Sequence, residues 1–523
     1  MAEKLTRKYG LLTSVCLVVG TVIGSGIFFR NDTIFPAIGG NMWIGVAAWI
    51  VGGLITLSLA YVFSVLATQH EQVDGISGFA RKLVGEKYAY IFDWYLTLIF
   101  FPAITGVLAW VSGRFTVELI GRLHVFEEGV NHFFSGHTYL FGLVYLISIY
   151  AINALSPKLA EWFHVSCTFI KVVPLILMGV IGTIVGIVTG TTIANIGTYY
   201  VPTIAIEGNP FFVALLATAF AYLGWDVVIS LSKEIINVKK NLPIALVAGL
   251  FIIIAVYVAF FIGLFSAAPV DQLTGGSGVM TGFINIFTEI GGTVLFGFII
   301  ISCLGTLNGL VSACGRMFYS LATKDQGPKK KLLASLDAQT LMPANSMVLG
   351  LVVTSIWMLV FGANLAPELP NFSFSVPDLV PVSFMGMMIP IMMMAMVKET
   401  KLGLFNRIIA PLAGIVGAGF SVYAIIYQRG ESVIHFLMVF VVLTIIGLIL
   451  NHYLSLMHGL IMIVGVGVAY VVYAHLIEHL LDLFSNMGFS TFVLPVIDVL
   501  SFTLLLTPIG FILFKEKQAV TSL

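Results

Sequence analysis

The chain has 523 residues, 59% of them hydrophobic and only 10% charged, and its 25 Lys and Arg balance its 25 Asp and Glu to a formal net charge of zero. Such an apolar excess excludes a soluble globular protein and describes a polytopic, all-α membrane protein. Zero net charge offers nothing to nucleic acid, and the four cysteines (Cys16, Cys167, Cys303, Cys314) fall inside apolar runs, where they read as small core residues rather than disulfides or metal ligands.

Residues 1–10 are short and basic and read as a tail on the cytoplasmic side. The apolar run that follows, Leu11 to Phe29, lacks a cleavage site and is too long for a signal-peptide core, so it stays as the first membrane helix. In its middle stands Gly24-Ser25-Gly26-Ile27-Phe28. A helix in hydrocarbon must satisfy its own backbone, and two glycines one residue apart weaken it there. One reading is a face where helices pack closely on small residues. The other is a break whose second half-helix, starting near Ile27, aims free N–H groups and a partial positive charge at a bound carboxylate.

Further apolar runs place membrane spans at about 11–35, 42–67, 88–113, 138–155, 161–189, 210–230, 242–267, 291–322, 344–361, 378–397, 407–427, 433–451, 458–476 and 493–514, about 14 in all. They divide into a first five-helix unit over 11–189, a second over 210–397, peripheral helices over 407–514 and a tail over 515–523. Residues 75–85 read as a small surface helix carrying Arg81 and Lys82, and His124–His137 and Gly362–Asp378 as longer polar connections on the other side, lids or solvated loops. Nearly all basic residues fall on one side of this layout. The opposite side holds only Arg30, Arg114, Arg122 and Arg429, and Lys171 is the one basic residue left inside the membrane. That skew puts both termini in the cytoplasm of a cell-membrane protein.

A second break is expected in the sixth span, Phe220-Ala221-Tyr222-Leu223-Gly224-Trp225-Asp226. Glycine and aspartate at that depth are costly, which makes Asp226 a functional candidate. Unwound near Tyr222–Trp225, the helix would free carbonyls for an ammonium group, while the first break offers N–H groups to a carboxylate. Together they fit the two ends of an α-amino acid. Breaks in spans one and six occupy matching positions of two five-helix halves, the pattern of an inverted-repeat transporter.

These residues resemble the amino acid–polyamine–organocation transporter superfamily, with its leucine-transporter-like fold. Gly20 to Phe28 is similar to its first-helix signature. Phe220 to Asp226, followed by Glu234 and Asn241-Leu242-Pro243, is similar to its sixth helix and the loop after it. Gly305-Thr306-Leu307-Asn308-Gly309 and Arg316 to Ala322 are similar to its eighth helix. The resemblance implies a 5+5 core in which the substrate carboxylate binds at Ser25, Gly26 and Ile27 and the amino group meets carbonyls near Ile23 and at Phe220, Ala221 and Leu223. It also implies that Phe220 closes over the substrate as a gate, the bland alternative being one more packed phenylalanine among 41, and that spans one, two, six and seven rock against the rest. The chain departs from the pattern at Lys233-Glu234, where relatives often carry two acids. Asp226 either anchors the unwound segment, the reading favoured here, or helps to recognise a cationic side chain.

Lys171, between Phe169-Ile170 and Val172-Val173-Pro174, resembles the lysine of sodium-independent members, whose ammonium stands where sodium-dependent relatives hold a cation. There it would bridge carbonyls and hydroxyls around Gly20–Gly24. As a titrating group it would couple transport to protons, as a fixed charge it would favour exchange, and its third reading is a lysine snorkelling to the surface. The methionine-dense stretch Met385–Met396 reads as adaptable packing, and the histidines (His70, His124, His132, His137, His452, His458) show no metal-ligand spacing. The expected function is alternating-access transport of L-amino acids, independent of sodium and using no cofactor beyond, at most, the coupling proton. A polyamine or organic-cation carrier and a polytopic membrane enzyme are the alternatives, and an accessory subunit is left open.

Overall fold

A computed structural model describes residues 9–458 and Met462, apart from 71–74, 123–136, 198–207, 233–234, 275–277 and 364–374. Among these residues nine helices are long and apolar enough to cross a membrane, or eleven when each of two bent pairs is taken as one span. The only extended pairing described is an isolated bridge between Tyr9 and Ile235. Helices close their hydrogen bonds within themselves, which is what a chain in hydrocarbon requires. The last two expected spans lie almost wholly outside the described residues, as do Lys233-Glu234 and most of the loop His124–His137.

The first span is a pair, α1 (Leu11–Val22) and α2 (Gly26–Ala37), bent by 50°. α3 (Met42–Gln69) starts at Asn41, whose side chain accepts from the N–H groups of Trp43 and Ile44. α4 (Gly75–Phe79) and a π turn, Ala80–Val84, make the expected surface segment with Arg81 and Lys82. α5 (Glu86–Tyr95), a π turn at Leu96–Phe100 and α6 (Phe101–Arg122) form the third span, and α7 (Thr138–Leu155) the fourth. The fifth begins at Pro157, earlier than expected, and is irregular: α8 (Pro157–Ile170), α9 (Val172–Leu177), a π turn at Met178–Gly182 and α10 (Thr183–Val188), with Lys171 at the first joint. α11 (Thr191–Gly197) then turns away by 82°. The broken sixth span is α12 (Pro210–Ala221) and α13 (Trp225–Ser230), and the seventh is α14 (Val238–Ala267).

After α15 (Val270–Leu273) comes α16 (Gly278–Thr323), non-helical at Phe287 and Thr288. Its second limb is the expected eighth span; the first limb is a helix that the hydropathy reading did not place. α17 (Lys330–Leu333) and α18 (Ala344–Ala363) follow, then α19 (Val376–Lys398). A π turn at Phe405–Ile409 leads into α20 (Ala410–Leu450), which bends at Arg429 between the two expected peripheral spans.

Two packed groups emerge. α1, α2, α3, α12 and α14 pack on one another, and α6, α7, α16 and α18 form a second group. In the second, glycines permit backbone contact: a Cβ at Gly106 would stand 2.8 Å from the Met358 nitrogen. The peripheral α20 is held to α5 by Tyr90, whose hydroxyl donates to the Gly447 carbonyl, and by Trp94, whose indole N–H donates to that of Leu443, each at 2.7 Å. Within the methionine run, Met385, Met388 and Met392 are buried while Met393 faces out.

The two breaks meet at one side chain. α1 ends where Ile23 turns extended (ψ 110), and α12 ends before Gly224, whose φ of +108° places it where glycine is favoured. A Cβ there would also press on the Thr21 carbonyl. The Tyr257 hydroxyl, on α14, lies 3.2 Å from the Val22 carbonyl and 3.0 Å from that of Ala221. Trp49, Tyr222 and Tyr257 stack edge-on and tilted around it, and Tyr222 donates to the Trp49 carbonyl at 2.7 Å. One hydroxyl thus satisfies main-chain groups that both interrupted helices leave open. Tyr257→Phe strands them at a cost of about 1–3 kcal/mol, and the thermal unfolding midpoint in detergent should fall by roughly 2–4 °C; an unchanged midpoint would mean that the hydroxyl does not hold the breaks.

Candidate functional site

Beside the breaks lies a cavity of about 470 Å³. Gly20 and Thr21 of α1, Gly224 of the sixth-span break, Lys171, and Thr306 and Asn308 of α16 line its depth, and Lys158, Glu161 and Arg316 stand at its mouth. Asn308 is fixed by the Asn153 amide, which donates to it at 2.7 Å, and itself donates to the Ala160 carbonyl at 2.8 Å. The walls are thus backbone, amide and cation set in an apolar bundle, a surface suited to a small polar molecule with at least one negative end.

The residues expected to hold substrate are brought together, but against each other. A Cβ on Gly26 would lie 2.7 Å from the Ala221 Cα, so α2 and α12 touch there through glycine. Ile23, Ser25, Ile27, Phe220 and Ala221 are all buried, and none of them lines the cavity. A Cβ on Gly24 would meet the Thr306 hydroxyl of α16 at 3.0 Å. Of the carbonyls expected to meet an ammonium group, that of Ala221 accepts from Tyr257 and that of Phe220 from the Leu223 N–H at 3.3 Å. In this conformation the Phe220 and Ala221 carbonyls are satisfied by the protein itself. Leu223 is half-buried at the break. Asp226 stands in the first turn of α13 and does not line the cavity.

Lys171 is 3% exposed, and its Nζ donates to the Gly20 carbonyl near the C-terminal end of α1. A cation there meets the negative pole of the α1 dipole. Cys167, one turn back on α8, packs against Gly305 of α16, so the fifth span joins α1 to the second helix group.

The face away from the cavity mouth is closed. The Phe29 and Phe220 rings meet edge to face at 5.2 Å. Above them Arg30 pairs with Asp378 and donates through Nε to the Ala217 carbonyl at 3.1 Å. Arg30, expected on the outer side, is only 4% exposed, so Lys171 is not the one deeply buried cation. α2 runs on through Arg30 to Ala37, and a charge is tolerated there because α19 brings a carboxylate to it. Asp378 likewise belongs to the first turn of α19 rather than to a polar loop. Arg114 of α6 pairs with Asp32 at 3.2 Å, so α2 is clamped to its surroundings by ion pairs of both polarities. Residues 364–374 of the expected connection lie outside the described residues. Sequence reasoning missed Tyr257, Phe29 and Asp378. Only Asp378 carried a signal, an acid at the start of an apolar run.

Mouth-side polar groups also connect elements. Asp93 of α5 takes Lys324 at 2.7 Å and Arg81 at 3.6 Å, and His70 joins Glu399 at 2.7 Å to Lys82 at 2.8 Å. Among the described residues no three His, Cys, Asp or Glu side chains converge as a metal site would require.

Comparison with known proteins gives this geometry a family. Residues 9–450 match the family model described as amino acid permease. The serine/threonine exchanger SteT of Bacillus subtilis is 27% identical over 370 residues, 70% of this chain and 80% of that one. The human cystine/glutamate transporter is 24% identical over 65% of this chain and 66% of its own length, and the human b(0,+)-type amino acid transporter 1 is 22% identical over 68% and 70%. The crystal structure of MhsT in complex with L-phenylalanine superposes with a TM-score of 0.51 at 18% identity, covering 80% of this chain and 99% of that one, which shows a common leucine-transporter fold. Matched along most of its length, with both breaks inside the match, the chain belongs to the amino acid permease family and is a membrane transporter, not an enzyme.

Proposed function

We propose that the chain exchanges neutral L-amino acids across the plasma membrane by alternating access, without sodium, and that the structure is its cytoplasm-facing state. The observation that carries this reading is the asymmetry about the breaks. A cavity reaches Gly20, Thr21 and Gly224 from the side of Lys158 and Arg316, while Phe29, Phe220 and the Arg30–Asp378 pair close the opposite side. The hydropathy layout puts Lys239, Lys240, Lys398, Lys401 and Arg407 on the cytoplasmic side together with Lys158 and Arg316, as the positive-inside bias requires.

Binding then takes place when α2 and α12 part. The N–H groups at the start of α2, around Ser25, Gly26 and Ile27, take the carboxylate. The carbonyls of Ile23, Phe220, Ala221 and Leu223 take the ammonium, and the Phe220 ring shields the site from outside. Lys171 acts as a fixed charge on the Gly20 carbonyl, standing where a coupling cation would otherwise hold α1. With no ion to move, uphill uptake of one amino acid draws on another leaving down its own gradient, which agrees with a relative named as an exchanger. Asp226, in the first turn of α13, anchors the unwound segment. Leu223 at the break narrows the pocket toward small and medium side chains.

Reconstituted into liposomes, the protein should take up labelled amino acid only when unlabelled amino acid is inside, whatever the sodium or proton gradient. Uptake into empty vesicles driven by a proton gradient would instead make it a symporter with Lys171 as the titrating group. Failure with every common amino acid would bring polyamines and other organic cations forward. Lys171→Ala should lower exchange by at least about tenfold, since it leaves a helix-end carbonyl unpaired and frees α1; full activity would remove any coupling role for the lysine. Leu223→Gly should widen the range of competing amino acids toward larger side chains, and unchanged selectivity would refute its place in the pocket.

A further inference from the structure

The peripheral helix α20 takes no part in the site described above, yet its bend faces the ion pair that closes the far side. At Arg429 the backbone leaves helical geometry (φ −137, ψ 34). The bend turns two neighbouring side chains toward α12 and α19, with that of Arg429 remaining 40% exposed. The Gln428 amide oxygen accepts from the Asn209 N–H at 3.1 Å, where Asn209 caps α12. Arg429 Nη2 stands 3.7 Å from Asp378 Oδ2, an ion-pair distance too long for a hydrogen bond. The Arg429 Nε is buried without a partner. Asp378 itself is fixed to the start of α19: Ser375 donates to the same Oδ2 at 2.7 Å, and Arg30 holds Oδ1.

Under the alternating-access reading, on which this inference rests, α2 must swing outward and take Arg30 with it. Asp378 is 4% exposed and stays with α19. Left alone it would be a buried, uncompensated carboxylate, which is among the most costly arrangements in a low-dielectric interior. Among the described residues, Arg429 is the other cation within ion-pair distance of Asp378. A movement of about 1 Å brings it to hydrogen-bonding range, and its unpartnered Nε gives it a second donor to offer.

The geometry points to Arg429 as a positioning residue for transport: it takes over Asp378 when Arg30 departs, and so stabilises the outward-open state from the peripheral arm. The carboxylate is never without a cation. Opening exchanges one guanidinium for another instead of exposing a bare charge, and α20 thereby enters the transport cycle without touching substrate.

The test reads opening directly and needs no knowledge of the substrate. In a Cys16→Ser background, Ala217→Cys places a thiol beneath Arg30, buried in the closed state. Its rate of alkylation by a membrane-impermeant maleimide added on the outside measures how often the far side opens. Arg429→Gln should slow that rate at least about tenfold, because it leaves the buried Asp378 carboxylate without a cation once Arg30 departs, and Arg429→Lys should restore most of it. Asp378→Asn, which leaves no charge to compensate, should raise the rate, and adding Arg429→Gln to Asp378→Asn should change nothing further. An unaltered rate in Arg429→Gln, or a slowing that persists in the Asp378→Asn background, would overturn the proposal. Alkylation in no variant at all would overturn the alternating-access reading together with it, whereas loss of amino acid exchange with the alkylation pattern intact would fault only the assigned substrate.

Discussion

The structure depends on what becomes of main-chain groups that two broken helices release inside a membrane. No water is available to them there, and an unpaired peptide group costs several kcal/mol in hydrocarbon. The protein answers with the Tyr257 hydroxyl, shared between the Val22 and Ala221 carbonyls. This has a functional consequence. Groups satisfied by an internal hydroxyl are settled within the bundle, and under the proposed function they exchange that partner for a ligand of the same polarity. Gly26 against Ala221 and Gly224 against Thr21 allow the two interrupted helices to approach closely enough for one tyrosine to reach both.

Charge is distributed along the same logic. α1 ends on Lys171, a cation at the negative pole of its dipole, and α2 carries Arg30 and Asp32, each answered by an opposite charge on a different helix. Each buried pair is weak evidence for net stability, but removing one partner is costly, about 3–5 kcal/mol. Such pairs suit a moving element: they hold one position firmly and penalise intermediate ones. The aromatic contact of Phe29 with Phe220 adds a dry layer beneath Arg30.

Much of this is legible in the residues. Paired glycines at 24 and 26 and the glycine at 224 announce breaks because backbone chemistry is local. Lys171 announces itself because a lysine so deep must be engaged. The surface helix with Arg81 and Lys82 and the bend between the peripheral spans also follow from local composition. What is not legible is long-range. Arg30 and Asp378 are 348 positions apart, and each alone reads as a residue at the edge of an apolar run, so the residues by themselves do not pair them. Tyr257 lies in an apolar span with nothing nearby in sequence to mark its hydroxyl as engaged. The helix before Phe287 escapes a hydropathy window, which finds crossings and not short segments folded back at the membrane surface. The contact that seals Gly26 against Ala221 depends on the conformation adopted, which no local pattern encodes.

The central claim is that the breaks are reached from alternate sides. The most direct measurement is two-sided accessibility of one cavity cysteine. Thr306→Cys in a Cys16→Ser background sets a thiol beside Gly24 on the wall of the cavity. In sealed vesicles without amino acid, an impermeant maleimide should label it from the cytoplasmic side only. With amino acid on both sides, labelling from the outside should appear and labelling from the cytoplasm should decline. Labelling from one side alone under every condition, or from both sides at once without substrate, would contradict alternating access and leave a static pocket or an open pore in its place.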